Sequence, residues 1–213
     1  MKTDELITAL AAGAEPVDSR APSRRLLLAA AAGAVLGLPL MLVLLGVNPR
    51  LAQDAQLPMF WVKLAFVAAA AGAAFAIALR LAKPGMPTRQ ATVVLSIPFA
   101  LIWLLAAAAL ATASPGERQA LVMGSTWDVC PLNIAKLSLP AFVLALWAMR
   151  SLAPTRLPLA GAAAGLLAGA LGATVYTLHC PEMAAPFIGL WYVLGMLVPT
   201  VAGALLGRIV LRW

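Results

Sequence analysis

Six stretches of this chain run for about 20 residues each with almost no charge: 26–46, 58–81, 92–112, 132–152, 157–178 and 186–210. A helix crossing the hydrocarbon core of a bilayer needs about 20 predominantly apolar residues. An open strand edge cannot lie in lipid with its backbone groups unpaired. The pattern therefore predicts an all-α fold, a polytopic membrane helix bundle with six transmembrane helices. Residues 1–25 form a polar tail and residues 26–213 the transmembrane domain; the loops, at roughly 5–20 residues, are too short for a further folded unit. A chain that is 63% hydrophobic and only 11% charged is not a soluble domain.

The formal charge of +7 suggests nucleic acid only until its distribution is read. With the tail placed inside, one side holds Lys2, Arg20, Arg24, Arg25, Arg80, Lys83, Arg89, Arg150, Arg156, Arg208 and Arg212. The other holds Arg50, Lys63, Arg118 and Lys136. Such an asymmetry orients a membrane protein with its basic side in the cytoplasm, so both termini are expected there, and membrane orientation explains the basicity with no direct nucleic-acid contact. Ser23-Arg24-Arg25 followed by three leucines resembles a twin-arginine signal, but no small-residue cleavage pattern ends the run, which reads as an uncleaved first span.

Gly33 and Gly37, Gly161, Gly165 and Gly169, and Gly203 and Gly207 recur at intervals of four, a spacing that lets helix backbones approach closely. Pro39, Pro98, Pro140 and Pro199 fall inside spans and are expected to kink them. Most of the six tryptophans fall near span ends, as an interfacial belt would place them. No span carries an internal Asp or Glu, which counts against the alternative of a small transporter or metal-efflux component. Lys63 and Lys136 open the second and fourth spans and are expected to snorkel to the outer interface. A sharper alternative has Lys136, six residues after Cys130, helping to hold a thiolate.

The only two cysteines, Cys130 and Cys180, lie at the rims of spans on the side opposite the tail. Around them stand Asp128, His179 and Glu182. Three readings follow: a structural disulfide, a redox- or metal-responsive thiol pair, or two inert cysteines. In the second, Cys130 and Cys180 are the metal ligands, with His179, Asp128 or Glu182 in reach as further donors to a transient heavy-metal ion. No resident cofactor is required. The absence of Cys-x-x-Cys argues against a thiol oxidoreductase, and nothing else in the chain suggests an enzyme.

In the tail, Thr3 to Leu10 reads as a short amphipathic helix with Thr3 as N-cap, Asp4 and Glu5 in its first turn, and Leu6, Ile7 and Leu10 on one face. Gly13 and Pro16 stop it. So short a helix is marginal alone and gains order on binding a partner. Residues 4–18 carry four acids and no base, which suits a basic partner surface.

An opening Met-x-Thr-Asp-Glu-Leu-Ile-x-x-Leu-Ala, six spans, and the outer Cys130-Pro131 and His179-Cys180-Pro181-Glu182 together resemble the NrsF-type membrane anti-sigma factors. These are negative regulators of an extracytoplasmic-function sigma factor. The resemblance covers essentially the whole chain. It implies that Thr3, Asp4, Glu5, Leu6, Ile7 and Leu10 contact such a sigma factor, and that Cys130 and Cys180 sense metal or oxidative stress. No zinc-binding anti-sigma motif is present in the tail.

Overall fold

A computed structural model describes residues 3–12, 18, 20–83 and 85–212, with the side chains of residues 9 and 10 excepted. Every regular element among them is helical. The tail helix α1 spans Thr3–Ala12, and the first long helix, α2, spans Ala21–Leu44. A short α3, Leu51–Asp54, precedes α4, Pro58–Leu81, and α5, Arg89–Thr112. Then come α6, Pro115–Met123, α7, Cys130–Arg150, and α8, Leu157–Tyr176. The last span is composite: α9, Ala185–Phe187, a π-turn at Ile188–Tyr192, and α10, Val193–Val210.

Six of these segments are long and apolar enough to cross a membrane, one for each stretch read from the sequence. Their limits differ in one consequential way. The first helix begins at Ala21, so Arg24 and Arg25 belong to the first span rather than to the tail. Pro22 in its first turn costs nothing, because the amide it removes would have had no helical partner.

Helix α8 is the axis of the bundle. It is the most enclosed of the six and packs against α10, α7 and α4. Its glycines make this possible. A methyl group built on Gly161 or Gly165 would collide with the carbonyl of Gly203 or Pro199 on α10, and one on Gly172 would come within 2.8 Å of Ile134 O on α7. Gly33 of α2 sits equally tightly on Ala141 of α7. With no hydrophobic drive between helices in lipid, this backbone-to-backbone packing supplies the contact energy. Helix α5 is the least enclosed, packing on α4 and α9.

The two ends of the bundle can be told apart from its contacts. Arg25 Nη1 donates to Ser151 Oγ at 3.4 Å, bringing the root of the tail to the end of α7. At the opposite end, Asn48 N donates to Leu178 O at 3.1 Å and His179 Nδ1 lies 3.0 Å from Gly46 O. The root of the tail and the cysteines therefore lie at opposite ends. Not all the tryptophans are simple interfacial anchors. Trp103 Nε1 donates to Gly189 O at 2.9 Å and Trp191 Nε1 to Val122 O at 2.8 Å, tying the composite last span to α5 and to α6.

Candidate sensory site

Cys130 is the first residue of α7, and its amide closes a turn onto Thr126 O at 3.0 Å. Pro131, in the first turn, tolerates the missing donor. Cys180 lies just past the end of α8, its amide bonded to Tyr176 O at 3.0 Å, and Pro181 prevents the helix from continuing. These two chain reversals bring both side chains into one buried cluster, where they are neighbouring free thiols. Each is essentially inaccessible, at 0% and 1% exposure. The structure thus shows no disulfide between them.

Lys63 completes the cluster, contrary to the expectation that it snorkels outward. Its side chain is fully buried, and Nζ donates to Cys180 O at 2.9 Å and Glu182 O at 3.0 Å. The ammonium also lies 5.9 Å from the Tyr192 ring centroid and 6.0 Å from that of Phe60. Two carbonyls of a loop that has left its helix are the partners an ammonium needs to stay inside. Lys136 is exposed on α7, in keeping with the expected snorkelling and not with the alternative in which it holds a thiolate. The hydrogen bond from Cys130 holds the Cys180 thiol below the ordinary thiol range, assisted by the Lys63 ammonium and opposed by burial.

The remaining residues predicted for this site surround the thiols without converging on them. His179 directs Nδ1 at the Gly46 carbonyl, which fixes that nitrogen as the protonated one. Glu182 Oε1 accepts from Ser125 N at 2.7 Å and Ser125 Oγ at 2.6 Å. Gly124 makes room for that carboxylate: its φ is +54°, and a Cβ there would lie 2.6 Å from Glu182 Oε2. Asp128 is exposed. Among the described residues, no three His, Cys, Asp or Glu side chains stand close enough to hold a metal ion together.

At the other end, α1 presents its described side chains to solvent, with Leu6 42% and Ile7 58% exposed. Thr3 is the first described residue of the helix, and Asp4 and Glu5 stand in the first turn as expected. Thr8 Oγ1 donates to Asp4 O at 2.8 Å. The side chain of Leu10, and Gly13 and Pro16 altogether, lie outside the described residues.

Comparison with known proteins decides the family. The family model described as "NrsF: Negative regulator of sigma F" matches residues 10–213. The chain belongs to the NrsF family. It is 52% identical over 214 residues to the "Probable anti-sigma-F factor NrsF" of Azospira oryzae, covering 100% of both chains. It is 41% identical over 215 residues to the "Anti-sigma-F factor NrsF" of Caulobacter vibrioides, again covering 100% of both. No solved structure matches.

In this NrsF-family chain the donor set at the thiol site is, among the described residues, two sulfurs and no third strong ligand. That suits a soft, thiophilic cation of low coordination number better than zinc, which takes four ligands. The same pair can be oxidised to a disulfide. Lys63, Tyr176, Tyr192 and Asn133 are site residues that the sequence reading missed. Tyr176 is buried beside Cys130 and Asn133, and Tyr192 is buried beside Cys180 with its hydroxyl making no hydrogen bond among the described residues. One signal was available: these are the chain's only two tyrosines, and Tyr176 stands four residues before Cys180.

Proposed function

We propose that this chain is a membrane anti-sigma factor of the bacterial inner membrane, holding an extracytoplasmic-function sigma factor of the sigma-F kind through its cytoplasmic tail. Thr3, Asp4, Glu5, Leu6, Ile7 and Leu10 are the contact residues. A metal ion or an oxidant arriving at Cys130 and Cys180 from the periplasmic side loosens that grip. Its role is regulatory rather than catalytic.

The reading is carried by the separation of an exposed acidic and apolar helix at one end from a buried reduced thiol pair at the other. The full-length relatives named anti-sigma-F factors support the choice of partner. In the oxidative input, two thiols lose two protons and two electrons to the oxidant, and an S–S bond forms. In the metal input, two thiolates bind the cation and two protons leave. Either event replaces a contact between two thiols with a link that fixes the two sulfurs together.

The test uses the full chain in native membranes. Co-purification should recover the sigma factor, and Leu6→Asp with Ile7→Asp should abolish recovery while leaving insertion intact. Cadmium or diamide should release the sigma factor from the natural sequence but not from the Cys130→Ser/Cys180→Ser variant. Undiminished binding by the tail variant would remove the tail from the interaction. Undiminished release from the serine variant would remove the thiols from sensing.

A further inference from the structure

At the tail end of the bundle, Arg80, Lys83, Arg89 and Arg156 line one pocket of about 300 Å³ between the α4–α5 and α7–α8 connections. Among the described residues, no carboxylate lines it. Arg80 Nη1 donates to Pro87 O at 3.2 Å, which shapes the α4–α5 loop around the pocket. Four cations held together in one concave site repel one another unless an anion joins them.

The pocket does not end in protein. A groove of about 230 Å³ shares Leu81 and Thr88 with it and continues between α5 and α8, walled by Ile77, Leu95, Leu159 and Leu166. The groove exists because α5 packs on α4 and α9 and makes little contact with α8. Its depth is that of the spans themselves, where lipid chains rather than water fill open space.

From this junction we infer a bound anionic glycerophospholipid, its phosphate among Arg80, Lys83, Arg89 and Arg156 and an acyl chain in the groove between α5 and α8. A basic pocket between transmembrane helices on the cytoplasmic side is what such headgroups recognise. The acidic tail of the same chain matches the charge of the pocket but not the groove, since an extended peptide there would leave its backbone groups unpaired. The lipid wedges the least enclosed helix against the axis of the bundle. This inference stands apart from the sigma-binding reading and does not depend on it.

The test is native mass spectrometry of the full chain released from nanodiscs of phosphatidylglycerol and phosphatidylethanolamine. The natural sequence should retain phosphatidylglycerol preferentially. Arg89→Gln with Arg156→Gln removes two exposed cations whose side chains make no hydrogen bond among the described residues, and should cut that preference about tenfold or more. Ala162→Phe fills the groove without altering charge and should also expel the lipid. Equal retention of both lipids by the natural sequence would overturn the inference. So would full retention in Ala162→Phe, or stabilisation by inorganic phosphate equal to that by the lipid. Retention that appears only after residues 1–20 are removed would show the tail to be the occupant and would likewise overturn it.

Discussion

Replacing Lys63 with methionine isolates what the buried ammonium contributes. Methionine fills nearly the same space, so little cavity is created. What disappears is a pair of hydrogen bonds to Cys180 O and Glu182 O, at 2.9 and 3.0 Å, and the cation beside the thiols. Hydrogen bonds from a charged donor contribute ~1.5–3 kcal/mol each, so the two together amount to ~3–6 kcal/mol. Removing the ammonium also returns part of its desolvation cost, which leaves a net loss of about 3 kcal/mol. Denaturation by SDS in mixed micelles should show that loss directly. A double-mutant cycle then divides it. Both bonds are to carbonyls rather than to sulfur, so about 2 kcal/mol should persist when Lys63→Met is introduced into Cys130→Ser/Cys180→Ser. A cost below ~0.5 kcal/mol in the natural background would refute the assignment of Lys63 as the tie that holds the loop. A cost that vanishes entirely in the serine background would mean that the thiols, not the carbonyls, hold the ammonium.

The lowered Cys180 thiol remains a thiolate to lower pH than an ordinary cysteine, so its alkylation by iodoacetamide, mapped by mass spectrometry, should level off below pH ~8.5, and Lys63→Met should move the inflection upward. Gly33→Ala forces a methyl group onto Ala141 of α7, and should cost about 1–3 kcal/mol in the same micelle assay, whereas Gly72→Ala, with open space around it, should cost far less. Glu182→Gln exchanges two charge-assisted hydrogen bonds from Ser125 for neutral ones, a loss of about 1–2 kcal/mol that limited proteolysis of the 113–129 loop should report as faster cleavage. Trp191→Phe removes the bond to Val122 O, a cost of about 1 kcal/mol that should also speed cleavage there.

The spans were legible because a bilayer imposes a length rule that needs no tertiary information. The shared end of the two cysteines was legible for a similar reason, since each crossing reverses the side. Helix α6 was not expected, although Ser114 and Glu117 form a capping box with Pro115 at the helix start, a local signal that could have found it. The place of Lys63 was not legible. Snorkelling is a local argument, and it fails here because the carbonyls that bind the ammonium lie 117 and 119 residues away. Nor does adjacency in sequence bring ligands together. His179 and Cys180 are neighbours, yet the turn after α8 sends the imidazole to Gly46 and the thiol to Cys130. The π-turn at Ile188–Tyr192 gives no local signal either, since the Gly189 carbonyl within it is bonded to Trp103 on another helix.

What links the two ends is chiefly one element. Helix α7 begins with Cys130, and the serine after its last residue accepts a hydrogen bond from Arg25 at the root of the tail. Its 21 residues span about 30 Å, the full hydrocarbon thickness. Between those ends Pro140 interrupts the hydrogen-bond ladder, next to the point where Gly33 of α2 clamps Ala141. A rod with a joint at its clamp converts movement of one end into movement of the other, instead of absorbing it in a distributed bend. Shifting a bound tail from 99:1 to 1:99 takes about 5.5 kcal/mol of preference between two states. A weak surface contact at Cys130 cannot supply that, whereas a disulfide or two metal–thiolate bonds can. In the mechanism we propose, the position of Cys130 as the first residue of α7 is what would let chemistry at a buried sulfur act on the tail at the far end.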